Sequence, residues 1–227
     1  MRIGEYASGV QGHRHDGLAY ELTLPDGAPR GGVVVLHGAG SRKENHRDFA
    51  QLCAAARLAT ITFDQRGHGD SDGALDGRAI TDVATIASLL PGGVPLFLRG
   101  SSMGGFLALA AAEHTGAAGV VAICPAGGEL LLAALREGHL EFRADRAALE
   151  RLVAAQDLTA AVRALGPRLL LVHAEGDDRV PCAHSRRLHA AAPGSRLIAM
   201  PGGDHQSAQH DPALQAAAVG FLTALAR

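Results

Sequence analysis

Short apolar runs bounded by glycine, proline or aspartate recur along the chain at Val33–Leu36, Ala59–Phe63, Leu96–Leu98, Val120–Ile123, Leu169–Val172 and Leu197–Met200. Their length and their lack of polar alternation predict strands buried on both faces of a parallel sheet. Between them the apolar positions take up a helical period, as in Phe49, Leu52, Cys53 and Ala56, then Ile80, Val83, Ala84 and Ala87, then Phe106, Leu109 and Ala110. Strand and helix alternating in this way predict a mostly parallel, doubly wound α/β sheet. A closing helix is predicted from Asp211 as N-cap and Pro212 in the first turn, with Leu214, Ala218, Phe221, Leu222 and Leu225 on one stripe.

Two intervals depart from this rhythm. The first thirty residues read as two antiparallel edge strands, roughly Arg2–Val10 and Leu18–Leu24, joined by a hairpin loop over Gly12–Gly17. From Gly127 to Pro167 no strand-like run occurs, and three helical patterns follow one another, Glu129–Arg136, Asp145–Ala155 and Asp157–Leu165. Lying between two core strands, they predict an inserted helical lid at about 127–167. No repeat or linker divides the chain, so residues 1–227 are expected to form a single domain.

Composition narrows the partners. Of 227 residues 47% are hydrophobic and 19% charged, which excludes disorder and coiled coil. With 21 basic against 23 acidic residues the net charge is −2, and neither sign forms a run. A nucleic-acid or membrane partner is therefore not expected, and a small-molecule substrate is; a homodimer is left open. The segment Met1–Gly9 has no apolar core of signal-peptide length, and no stretch approaches ~18 apolar residues, so a cytoplasmic location is expected. Cys53, Cys124 and Cys182, odd in number and widely spaced, read as reduced buried thiols.

The candidate chemistry begins at Gly100-Ser101-Ser102-Met103-Gly104, a G-x-S-x-G pattern with a strand predicted before it and a helix after it. Such a turn lifts its central residue clear of the sheet, and glycines leave room where a Cβ would collide. Ser102 is the candidate nucleophile. A serine hydroxyl needs a neutral imidazole to take its proton and a carboxylate to orient that imidazole. The run Leu170-Leu171-Val172 leads into His173-Ala174-Glu175-Gly176-Asp177-Asp178-Arg179-Val180-Pro181, which puts Asp177 at the carboxyl edge of a strand, where open α/β sheets bind ligands. After Leu197-Ile198-Ala199-Met200, the loop Pro201-Gly202-Gly203-Asp204-His205 offers His205 as the base. The spacing to Val180-Pro181 favours Asp177 over its neighbour Asp178, and Asp204 is too close in sequence to swing beneath His205.

The order Ser102, Asp177, His205 resembles that of the α/β-hydrolases, and the resemblance covers nearly the whole chain. It implies the α/β-hydrolase fold, a sheet of about eight strands, no cofactor and no metal. It also makes His37-Gly38-Ala39-Gly40 similar to the family's oxyanion loop, with the backbone N–H groups of Ala39 and Met103 as donors. The stretch Asp64–Ser71 resembles the family's turn after the fourth strand and is assigned to structure. Within the superfamily the short lid and the Asp-x-x-Val-Pro acid loop resemble bacterial carboxylesterases and serine-nucleophile relatives of dienelactone hydrolases.

The expected activity is hydrolysis of carboxylic esters with small to medium apolar groups. Thioester or amide cleavage and acyl transfer would use the same apparatus. The lid leucines Leu130, Leu131, Leu132 and Leu135 exceed what one amphipathic face requires, so some are expected to line a substrate pocket, with Leu131 and Leu135 as candidates. The alternative is that all four pack on the sheet over a shallow site. From other classes, a metal-dependent hydrolase would draw on His13, His15 and Asp16, but no third and fourth ligand follows at a matching position. A non-catalytic binding module would have no need of serine, acid, base and oxyanion loop together. Cys124 lies near the expected pocket but lacks the elbow glycines, and reads as a small buried hydrophobe.

Overall fold

The computed structural model describes residues 10–138 and 142–227. Eight strands form one sheet: β1 (Val10–His15), β2 (Leu18–Thr23), β3 (Gly31–Leu36), β4 (Leu58–Phe63), β5 (Leu96–Ser101), β6 (Gly119–Ile123), β7 (Leu169–Ala174) and β8 (Arg196–Met200), in the order β1-β2-β4-β3-β5-β6-β7-β8. The β1–β2 and β2–β4 pairings are antiparallel, and every pairing from β4 through β3 to β8 is parallel. Six of these strands contain the apolar runs read from the sequence.

The hairpin differs from expectation. Gly12–His15 belongs to β1 rather than to a loop, and the turn is the dipeptide Asp16-Gly17, with φ of 49° and 74°. An Asp-Gly pair with both residues at positive φ makes the two-residue turn whose twist matches the flanking strands, so pairing runs right up to His15↔Leu18. Most of the Arg2–Val10 strand expected from the sequence lies outside the described residues.

Helices cover both faces: α1 (Arg47–Ala55), α2 (Ala79–Ala87), α3 (Met103–Ala111), α4 (Gly128–Glu137), α5 (Arg146–Ala154), α6 (Leu158–Leu165), α7 (Ala183–Ala191), α8 (Ser207–His210) and α9 (Pro212–Leu225). Because side chains alternate along a strand, each central strand feeds two cores. Val33, Val35, Phe97, Val121 and Val172 pack with Phe49 and Cys53 of α1 and with Phe221 and Leu222 of α9. Val34, Leu36, Leu98, Val120 and Leu171 pack on the other side with Val83 and Ile86 of α2 and Phe106 and Leu107 of α3. This double burial is why the strands read as unbroken apolar runs.

Between β6 and β7 the chain forms α4, α5 and α6. Asp145 and Asp157 cap the last two, accepting from the amides of Ala148 at 3.1 Å and Ala160 at 3.0 Å. Asp211 does the same for α9, accepting from the Leu214 amide at 2.9 Å, with Pro212 as its first residue. Among the described residues no helix is long and apolar enough to cross a membrane.

Candidate active site

The parallel strands all end at the same edge, and the loops leaving that edge carry the candidate residues. Ser102 sits between β5 and α3 at φ 55° and ψ −121°, a conformation that an L-residue adopts only under constraint. Its neighbours supply that constraint. A Cβ on Gly100 would lie 2.0 Å from the Gly104 carbonyl oxygen, and one on Gly104 would lie 2.2 Å from the Leu36 carbonyl oxygen. The Ser102 amide donates to the Ile123 carbonyl at 2.9 Å, while its own carbonyl accepts from Phe106 and Ala126. The turn is thus fixed by backbone on every side, with the half-buried hydroxyl facing a cavity.

His205 also lines that cavity, and its Nδ1 lies 2.7 Å from Asp177 Oδ2. A carboxylate oxygen accepts, so Nδ1 carries the proton and the Nε2 lone pair is left for a hydroxyl. Asp177 Oδ1 takes two further donors, the amides of Arg179 at 2.9 Å and Val180 at 2.8 Å. Burial by itself would raise the Asp177 carboxyl, but the Val180 amide and His205 outweigh it and hold the group below the usual carboxylate range. Asp178 is exposed, and Asp204 spends its carboxylate capping the amides of Gln206 and Ser207, so His205 is paired with Asp177.

A second imidazole supports the acid, and sequence reasoning missed it. His173, the fifth residue of β7 and fully buried, has Nε2 at 2.8 Å from the Val180 carbonyl and 3.3 Å from Asp177 Oδ2. The carbonyl can only accept, so Nε2 carries the proton and Nδ1 accepts from the Ser185 hydroxyl at 2.7 Å. Burial lowers the His173 pKa, consistent with this neutral form. A polar residue continuing the run Leu169–Val172 was the available signal, since a histidine buried in a central strand must find partners. His173, Asp177 and Cys124 are the one set among the described residues with metal-like spacing, their ligand atoms lying within 4.8 Å of one another. Those atoms are already engaged, however, and burial pushes the Cys124 thiol well up. His13 and His15 stand on the edge strand β1, and Asp16 Oδ2 accepts from Arg66 Nη2 at 3.0 Å; none of the three lines the cavity.

The loop after β3 runs against the elbow, so close that a Cβ on Gly38 would come within 3.2 Å of Ser102 Cβ. His37 holds it there. Its Nε2 accepts from the Gln65 amide at 3.0 Å and its Nδ1 donates to the Gly38 carbonyl at 2.8 Å. Burial, aided by neighbouring His68, pushes its pKa down to about 4, so the ring is neutral. Ala39 and Met103 line the cavity beside Ser102. Met103 opens α3, where the N–H has no intrahelical acceptor. The Asp64–Ser71 turn braces the same loop from behind, Asp64 receiving the Lys43 amide at 2.8 Å and Lys43 Nζ at 2.9 Å.

The cavity measures about 410 Å³, within the usual range for small-molecule sites. Its roof is apolar, built from Leu130, Leu131 and Leu135 of α4 together with Leu149 and Val153 of α5. Leu132 faces away and packs against the core. Phe106, Leu107 and Phe142 continue the apolar wall, while Asn45, Gln206 and Gln209 form a polar rim.

A strained serine elbow, a histidine–aspartate pair and a neighbouring glycine loop on this sheet define a serine-hydrolase scaffold. The chain belongs to the α/β-hydrolase superfamily: the profile of the prolyl oligopeptidase family matches residues 94–226, more than half of it, and that of the serine aminopeptidase family S33 matches residues 27–138. Human monoglyceride lipase is 34% identical over 114 residues, which is 44% of this chain and 37% of that protein. The match thus spans little more than a third of the length of that relative. Among solved structures, a monoacylglycerol lipase of Paleococcus ferrophilus superposes with a TM-score of 0.73 at 21% identity, covering 92% of this chain and 99% of the other. A thermostable carboxyl esterase of Bacillus coagulans does so with a TM-score of 0.75 at 14% identity, covering 98% and 100%. At these identities the two structures speak to the fold.

Proposed function

We propose that this protein hydrolyses carboxylic esters that combine a short to medium apolar acyl group with a polar alcohol, through a Ser102 acyl-enzyme. The observation that carries the proposal is the 2.7 Å Asp177–His205 contact, which fixes the tautomer of a base sharing one cavity with an elbow serine. His205 Nε2 takes the Ser102 proton as Oγ attacks the ester carbonyl, and Asp177 stabilises the imidazolium. The N–H groups of Ala39 and Met103 receive the oxyanion, an effect worth roughly 3 kcal/mol per donor in comparable sites. His205 then protonates the departing alcohol and activates the water that releases the acid. The leucine roof, acting as a lid, receives the acyl group, and the rim of Asn45, Gln206 and Gln209 faces the alcohol. The names of the lipase and esterase relatives support an ester substrate. No step calls for a metal or cofactor.

The peptidase names of the two matching families favour amide cleavage as the second reading. A panel of p-nitrophenyl esters, thioesters and p-nitroanilides of graded acyl length separates the two. The expected result is ester turnover that peaks at short or medium acyl length, with a single fluorophosphonate adduct that Ser102→Ala abolishes. Faster cleavage of anilides than of esters would move the assignment to a peptidase, and a full adduct on Ser102→Ala would remove Ser102 as nucleophile. Chelation by EDTA is expected to leave turnover unchanged; loss of activity restored by zinc would point to a metal-dependent reaction instead.

A further inference from the structure

Among the described residues Arg99 is the largest fully buried side chain, and it has no place in the chemistry described so far. It lies on β5 with its side chain among the apolar residues on the α1 and α9 side of the sheet, flanked in register by Val35 and Val121. Among the described residues no carboxylate reaches it. Nη1 donates to His46 Nδ1 at 2.9 Å and Nη2 donates to the main-chain carbonyl of Gln209 at 3.0 Å. The guanidinium carbon rests 4.7 Å from the centre of the Phe49 ring, and Nε is buried with no partner. Burial lowers its pKa only to about 10, so the group is charged at neutral pH. Desolvating a cation with no carboxylate in contact is costly even though Asp48 acts on it from a distance, and a methionine or leucine would fill this space without that cost. The position therefore calls for a reason beyond packing.

The acceptors suggest one. Gln209 ends four residues after His205, in the segment whose Gln206, Gln209 and His210 line the cavity. The same Gln209 carbonyl also accepts from Gln215 Nε2 of α9 at 3.1 Å. Gln215 Nε2 and His210 Nδ1 in turn meet Asp48 Oδ2, at 2.6 and 2.9 Å. His46 closes the loop that begins at Gly38 and stacks on His210 at 6.3 Å. One guanidinium thus joins the strand that presents Ser102, three residues further on, to the segment that carries the base.

Resting on the Ser102–His205 reading above, we propose that Arg99 is a positioning residue that holds the His205 segment in register with the serine elbow. A base displaced by about 1 Å loses on the order of a hundredfold in rate while substrate contacts made elsewhere persist. The loss should accordingly fall on kcat and not on KM.

The test uses Arg99→Met, which keeps the volume and removes the charge, with Arg99→Lys beside it. For a p-nitrophenyl ester we expect Arg99→Met to lower kcat by about 10- to 100-fold with KM within about 3-fold. Fluorophosphonate labelling of Ser102 should slow by a similar factor, and the thermal midpoint should be kept or raised. Arg99→Lys, which retains a donor for the Gln209 carbonyl, should recover part of kcat. An undiminished kcat in Arg99→Met, a loss carried by KM, or no recovery with lysine would overturn the proposal. If Arg99→Met does not fold, Gln215→Leu removes the second donor from the same carbonyl and should lower kcat by about 3-fold, no change counting against the idea. Wild-type protein that is not labelled at Ser102 would instead refute the serine-hydrolase reading on which this rests.

Discussion

The two sides of the cavity are built on different principles. The floor is made of backbone: the Ser102 elbow and the Asp177 turn are held by main-chain hydrogen bonds and by Gly100, Gly104 and Gly176, whose Cβ atoms would have no room, and the Gly38–Gly40 loop packs closely against the elbow. The roof is made of side chains, the leucines of α4 and the apolar residues of α5, whose positions depend only on packing. Backbone constraint sets atoms to within fractions of an ångström, as transition-state stabilisation requires, whereas apolar packing tolerates changes of shape. Substitutions in the floor should therefore abolish turnover, and those in the roof should change which substrate is turned over.

The sharpest way to break this comparison is at the acid. Asp177→Asn should reduce kcat/KM by about 10⁴-fold, because the amide no longer enforces the Nδ1–H tautomer of His205. Comparable losses in Asp178→Asn would show that the wrong carboxylate has been assigned.

A second test concerns the neutrality of the floor. His37 has a folded-state pKa near 4 against an ordinary 6.5, so as the pH falls below 6.5 the unfolded chain takes up a proton that the folded chain refuses. Stability is intact above pH 6.5 and is lost progressively toward pH 4, by up to about 3 kcal/mol for this one group. His46, His68 and His173 are displaced in the same direction by burial and add to the trend. Urea unfolding midpoints should hold between pH 7.5 and about 6.5 and fall from there to pH 4.5; a flat series would mean that these rings are not held neutral.

The roof should respond more gently. Leu131→Asp is expected to lower kcat/KM on medium-chain esters by about 10-fold while Ser102 labelling is largely kept. Leu135→Asp should do the same with an added loss of thermal stability, since Leu135 is only 3% exposed and also belongs to the core. Indifference of the acyl-length profile to both would show that α4 does not select the substrate. The smallest effect is expected at the exposed Asp178, where asparagine should change kcat/KM by less than about 2-fold.

Much of the floor was legible beforehand because its requirements are local. The sharp strand-to-helix turn demands glycines at fixed offsets from Ser102, and Asp177 and His205 follow apolar runs that could only be central strands. The hairpin at Asp16-Gly17 was readable in principle, but the polar residues of His13–His15 disguised a strand that lies at the sheet edge, where one side of each residue meets water.

What the linear pattern decided by itself is the alternation of elements and the elbow, and it put Ser102, Asp177 and His205 forward in that order as candidates, since each reading depends on a few neighbouring residues. Tertiary structure alone decided the contact between His205 and the Asp177 carboxylate that spacing had favoured, which of four leucines turn inward, and why an arginine stands in a core strand. The two polar contacts among these join groups 28 and 110 residues apart, brought within hydrogen-bonding distance. Local sequence carries no record of such meetings: an Arg99 side chain is acceptable in that layer only because the Gln209 carbonyl and a neutral His46 arrive there from distant turns.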